Sequence, residues 1–326
     1  MPNAEPPKEA QAAAAVLMVR PAHFAFNPQT APSNSFQHAI AARSARTRGA
    51  VAAPSDLERL ALEEFDALAE SLRRAGVHVI VAEDTDEPVK PDAIFPNNWV
   101  SFHRDGTVVL YPLLAPNRRS ERREEVIRGV IEQGSFRIVR TVDLSYRESQ
   151  GKFLEGTGSL VLDRPQRVAY ASLSPRTDLD VLGEFAQQLD YELVTFEAFD
   201  HPAKPLYHTN VMMAIGATFA VVCAESIAGR RHRDDVHSRL EAAGHEVIEI
   251  TRSQMREFAG NLLELSPARS PLIALSTRAW RSLHARQRRQ LEKHGNILAA
   301  DIPHIERHGG GGVRCMLAEI HLPRRI

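Results

Sequence analysis

Apolar and polar positions alternate in a pattern that recurs five times along the chain: an amphipathic helical stretch, a short turn, then a β-branched strand. In the first, Leu57, Leu60, Ala61, Phe65, Leu68 and Leu72 fall at helical spacing within 55–75, Gly76 stops the helix, and 77–81 reads as a strand. The same grammar predicts helices over 118–133, 178–189, 230–243 and 278–294, with turns at Gly134, Asp190, Gly244 and Gly295 and strands over 136–139, 192–196, 246–250 and 297–300. The turns recur every ~50–60 residues, a period of the size that signals a repeat architecture. Further strand-like runs at 107–113, 159–162, 168–173, 218–222 and 272–275 give each unit about three strands and one helix. This pattern predicts an α/β ring of five ββαβ units. It argues against an eight-unit TIM barrel and against a Rossmann sheet, whose glycine fingerprint is absent. Closing the ring requires the strand over 16–19 to complete the unit at the C-terminus, with ligands on the axis where the units converge.

Composition narrows the function. Forty Lys plus Arg against 41 Asp plus Glu leave a formal charge of −1, so no broad basic field exists for nucleic acid or an anionic membrane. The 43% apolar and 25% charged residues are those of a globular protein, and no apolar run approaches the ~20 residues needed to span a bilayer. Residues 1–14 lack the features of a signal peptide and are expected to form a flexible tail before a single domain over 15–326. Cys223 and Cys315 form neither a disulfide framework nor a zinc spacing, which suits a reducing cytoplasm, and Cys223 lies in an apolar run as a small buried hydrophobe.

Several residues carry potential chemistry. Cys315 follows the run Gly309–Gly312 at a strand entrance, either an incidental thiol on a flexible hairpin or a nucleophile. His208, after a Pro-rich stretch and before an apolar strand, can act as acid and base near neutral pH, although most of the 14 histidines must be ordinary. Glu155 stands between an apolar pair and two glycines, where acids are often only turn residues. Asp92, Asn97 and Asn98 belong to Pro-Asp-Ala-Ile-Phe-Pro-Asn-Asn-Trp, whose amides require partners if buried. These elements fall near strand ends in different units, which is how a ring would bring Cys, His and a carboxylate together.

The motifs PDAIFPNNW, LEGTGS, YHTNVMM, AGNLLEL and GGGGVRCMLAEI, in this order and spread over nearly the whole chain, resemble the guanidino-group modifying enzymes of the pentein fold. That family includes arginine deiminases, dimethylargininases and amidinotransferases, and the likeness is greatest to its citrulline-utilisation hydrolase, or arginine deiminase-related, branch. The resemblance implies a five-bladed α/β propeller with Cys315 as nucleophile, His208 as general acid and base, Glu155 as the orienting carboxylate and Asp92 as a substrate-binding acid. Deiminases of the family carry aspartates at the end of Phe-x-x-Asp and two residues after the histidine. Here those places hold Asn98 and Asn210.

Two aspartates suit a cationic guanidinium, whereas amides can donate to a neutral ureido oxygen. The expected reaction is therefore citrulline hydrolysis to ornithine, carbon dioxide and ammonia, with no metal or cofactor. Arg20 is the candidate for the substrate carboxylate and Asp92 for its amine, while Arg314 either lowers the thiol pKa or faces outward. An arginine dihydrolase or deiminase on the same scaffold is the close alternative, and a non-catalytic pentein binding protein the alternative of another class. Partners other than a small amino acid are not expected, and a homo-oligomer is left open.

Overall fold

The computed structural model describes residues 9–39, 54–201 and 204–325. Five separate three-stranded sheets dominate it, each with one antiparallel and one parallel pairing, plus a small hairpin of Phe199–His201 with Lys204–Pro205. In four of the sheets a short first strand turns back on a central strand, and in all five a helical crossover brings the last strand in parallel with the central one, as parallel pairing demands.

The central strands Phe219–Val222 and Leu272–Ser276 are buried along their whole length, so they read as continuous apolar runs. The first sheet is assembled from both ends of the chain. Ala15–Arg20 pairs in parallel with His78–Glu83 across the helix Pro54–Arg74, and antiparallel with Ala318–Glu319 in the register Val16 to Glu319 and Leu17 to Ala318. The other four sheets contain Val100–Phe102, Thr107–Leu110 and Arg140–Asp143; Val161–Asp163, Val168–Ser172 and Glu192–Phe196; Met213–Ile215, Phe219–Val222 and Glu246–Glu249; and Leu263–Leu265, Leu272–Ser276 and Asn296–Ala300.

Four of the expectations require correction. The helix expected over 118–133 begins at Glu124, and Pro116–Glu121 is a tighter 3-10 stretch in which Arg118 and Glu121 meet at i,i+3. The strand expected over 136–139 starts instead at Arg140, because Ser135 takes a left-handed conformation and the following backbone bonds to the C-terminal segment, Arg137 N–H to the Pro323 carbonyl. The helix over 278–294 divides into Thr277–Ser282 and Ala285–Glu292, capped separately by Ser276 and His284.

The fourth concerns the N-terminus. Residues 9–14 of the expected tail are packed, not loose. Gln11 is buried, its amide N–H groups donate to the Leu162 and Ile215 carbonyls, and its oxygen accepts from Arg164 N–H, so one side chain ties two sheets together. Glu9 pairs with Arg164 and Arg167.

Short turns precede the first strand of every sheet. Pro96–Asn98 packs against Gly156–Ser159 and against Val313–Met316, and Gly156–Ser159 packs against Thr209–Val211. Chain segments far apart in sequence thus converge through these turns.

Candidate active site

Beside these turns lies a partly open pocket of about 270 Å³ bordered by Asp92, Asn98, Arg118, Arg176, His208 and Cys315, with the backbone of Gly309–Gly311 along one side. Cys315 sits in the turn Val313–Met316, its N–H closing onto the Gly312 carbonyl at 3.1 Å, and is 3% exposed. Its Sγ lies 3.3 Å from Asn261 Nδ2 and 3.7 Å from Asn210 Nδ2. Burial pushes the thiol pKa up, opposed chiefly by the Asn261 hydrogen bond and then by the Arg314 charge.

His208 caps the turn Thr209–Val211 in extended backbone, and its Nε2 is 2.8 Å from Glu155 Oε2. This contact uses Nε2 and leaves Nδ1 as the ring atom available for proton transfer. Burial lowers the imidazole pKa to about 4 despite the opposing pull of Glu155, so the resting ring is neutral. Glu155 itself is fully buried. Burial works against its ionisation, but Arg176, the His208 hydrogen bond and Arg118 outweigh it and hold the carboxyl far below the usual range. Arg176 Nη1 donates to Glu155 Oε2 at 3.1 Å and Leu114 N–H to Oε1 at 3.1 Å.

The amides are held in one orientation. Arg118 forks onto Glu121 with two 2.8 Å hydrogen bonds and donates from Nη1 to Asn98 Oδ1, also at 2.8 Å. With its oxygen taken by a cation, Asn98 turns its NH2 group the other way, where one N–H reaches Asn97 Oδ1 at 3.1 Å and one is left over. Asp92 Oδ2 accepts from Asn27 and Thr30, and its other oxygen is buried without a hydrogen-bond partner.

Six of the nine residues singled out from sequence (Cys315, His208, Glu155, Asp92, Asn98 and Asn210) therefore meet in or directly against this pocket. Asn97 supports Asn98 from behind and does not border the pocket. Arg20 lies elsewhere. It makes a forked pair with Asp66 at 2.8 and 2.9 Å on the outer face, as an arginine at a half-exposed strand end commonly does. Arg314 pairs with Glu319, at 2.6 Å, and borders a second cavity of about 370 Å³.

The pocket's two cationic residues, Arg118 and Arg176, were not anticipated. The first is embedded in a run of charge that reads as a solvated helix face, the second in a Ser-Pro-Arg-Thr loop. A usable signal existed for Asn261. Asn98, Gly158, Asn210, Asn261 and Cys315 occupy matching places, two or three residues ahead of the first strand of each sheet.

With its small mixed sheets, the chain falls among the pentein-superfamily guanidino-modifying enzymes. Residues 20–322 match the family described as N,N dimethylarginine dimethylhydrolase, eukaryotic, and the chain belongs to that family. No curated protein sequence matches it.

Among solved structures, the chain is similar to the N-terminal domain of ArgZ, an arginine dihydrolase from the ornithine-ammonia cycle in Cyanobacteria, crystallised as a cysteine-to-serine mutant bound to substrate. The two share 16% identity with a TM-score of 0.69, covering 94% of this chain and 97% of that one. It is similar also to an AgrE mutant in complex with L-arginine, at 18% identity and a TM-score of 0.70, covering 95% of this chain and 40% of that one. A dimethylarginine dimethylaminohydrolase mutant carrying an S-methyl-L-thiocitrulline adduct matches at 14% identity and a TM-score of 0.61, over 94% and 99% of the two chains. No helix among the described residues is long and apolar enough to cross a membrane.

Proposed function

We propose that this chain is a cysteine-dependent hydrolase that converts citrulline and water to ornithine, carbon dioxide and ammonia. The observation that carries the reading is the set of amides about the site, Asn98 bordering the pocket and Asn210 and Asn261 against the Cys315 sulfur, with Asn98 and Asn210 standing where a guanidinium would call for carboxylates. Asn98 supports it most directly, because Arg118 commits its oxygen and leaves a spare N–H for a ureido carbonyl. A donor in such a place contributes about 2.7–4 kcal/mol to an oxyanion. The charged end of the amino acid would meet Arg118 or Arg176 through its carboxylate and the unpartnered Asp92 oxygen through its ammonium.

In the proposed mechanism the Cys315 proton passes to His208 Nδ1 as the sulfur attacks the ureido carbon, and the carbonyl electron pair moves onto oxygen. The adduct collapses with cleavage of one C–N bond, His208 returning the proton to the leaving nitrogen. Water then gives a proton to the same ring nitrogen, adds to the S-acyl carbon and splits the C–S bond. The thiol is regenerated, and the resulting carbamate loses carbon dioxide. Glu155 acts as a positioning residue that fixes the ring. The same reading takes the five sheets as blades of a propeller, the pocket as its axis, residues 15–326 as one catalytic domain, and the cytoplasm as its setting.

The test is to incubate purified protein separately with citrulline and with arginine and to separate the amino-acid products. Ornithine from citrulline, abolished in Cys315→Ser, is the expected result. Rapid turnover of arginine with inert citrulline would replace this reading by an arginine dihydrolase or deiminase, and unaltered partner binding by a Cys315→Ser protein without turnover of either would favour a binding protein.

A further inference from the structure

We infer that Asn261 is a further catalytic residue of this site, an amide donor dedicated to the Cys315 sulfur that steadies its anion and fixes its line of attack. The inference rests on the reading of Cys315 as nucleophile. Asn261 is 0% exposed, and each of its polar atoms has a defined duty. Its Oδ1 accepts from the Arg314 backbone N–H at 3.1 Å, which forces Nδ2 to the other side. There one N–H goes to the Asn210 carbonyl at 3.0 Å and the other to Cys315 Sγ at 3.3 Å. One side chain thereby links the backbone beside His208, the backbone beside the nucleophile and the nucleophile itself.

Asn210 is differently placed. Its Nδ2 and Oδ1 lie 3.7 and 3.9 Å from the sulfur, so its amide makes no comparably committed donor.

The chain makes room for this arrangement on both sides. A Cβ on Gly260 would stand 2.5 Å from the Val211 carbonyl oxygen, and a Cβ on Gly312 would stand 2.6 Å from Asn261 Oδ1. Only glycine at both places lets the turn before Leu263 close onto the histidine turn while the nucleophile loop closes onto Asn261. Asn261 also stands in its sheet where Asn98 and Asn210 stand in theirs, so the repeat delivers a third amide to the convergence point. With Cys315 buried, a sulfur anion has little water to stabilise it, and a fixed N–H takes over that function.

The experiment compares wild-type full-length protein with Asn261→Asp, Asn261→Ser and Cys315→Ser. Iodoacetamide labelling of Cys315 is followed against pH by peptide mass spectrometry, together with kcat and KM on citrulline and thermal unfolding. Asn261→Asp keeps the shape but faces the sulfur with an acceptor. It is expected to raise the apparent Cys315 pKa by at least about one unit and to slow labelling at neutral pH about tenfold. The kcat should fall at least about tenfold with KM changed less than about threefold. Asn261→Ser, which retains a donor and adds no charge, is expected to lie between.

Folded variants with the wild-type labelling profile and kcat would overturn the inference. Should Asn261→Asp not fold, an Asn261→Ser protein that folds yet labels and turns over as wild type does so equally. Loss of activity in Cys315→Ser together with unaltered Asn261 variants would reject this inference alone, whereas full activity in Cys315→Ser would reject the nucleophile itself.

Discussion

Burial sets the character of the individual residues. Burial pushes the Cys315 thiol up and pulls the His208 imidazole down to about 4, so both groups favour their neutral forms. Cys315→Ser is expected to lower turnover at least about a thousandfold while leaving thermal unfolding in place, because a serine hydroxyl gives up its proton far less readily. Glu155→Gln removes the charge that Arg176 and His208 share, and should reduce kcat at least about a hundredfold with a smaller change in KM. Steady-state kinetics on the two variants checks both. Cys315, His208 and Glu155 could be singled out in sequence through the motifs that carry them, since the local setting of each by itself left an ordinary reading open. Arg118 and Arg176 were not, since nothing in a run of charges marks which arginine turns inward and finds buried acceptors. Arg20 illustrates the converse, an arginine after an apolar strand that pairs with Asp66 at the surface.

At the level of elements, the site depends on how the loop carrying Cys315 is held. The turn Ile305–Gly309 leads into the glycine run, and Glu64 of the helix Pro54–Arg74 anchors its start by accepting from the His304 and Ile305 N–H groups at 3.0 Å each. Within that turn Glu306 is buried, and burial raises its pKa to about 7, opposed by Ser276 and Arg278. The folded state then holds a proton that the unfolded chain releases near pH 4.5. The associated stability is present at acidic pH and is lost as pH rises from about 4.5 through about 7. Glu306→Gln should therefore flatten this part of the profile, gaining on wild type by on the order of 2 kcal/mol between pH 5 and pH 8. Denaturant unfolding at the two pH values measures it. Helix ends were readable from sequence where a glycine follows closely, as at Gly76 and Gly244. Periodicity could not show that 116–121 is a 3-10 stretch or that Ser135–Val139 is diverted by the C-terminus, because those outcomes are decided by distant partners.

Across the whole molecule, the fivefold recurrence was legible in the turns and helices, and the first sheet does join the two chain ends as the pattern required. The packing of residues 9–14 was not, since a short alanine-rich segment gives no periodic signal. Gln11 occupies three buried backbone groups in two sheets, and Gln11→Ala should cost about 2 kcal/mol or more, seen as a lowered Tm with little change in KM. The proposed reaction brings the Cys315 sulfur to the ureido carbon, and that contact can be trapped. Protein mixed with citrulline labelled with carbon-13 at the ureido carbon, quenched in acid during turnover and digested, should yield the labelled acyl group on the peptide containing Cys315 and none on the peptide containing Cys223. Continued turnover with no label on Cys315 across the quench times would contradict the account.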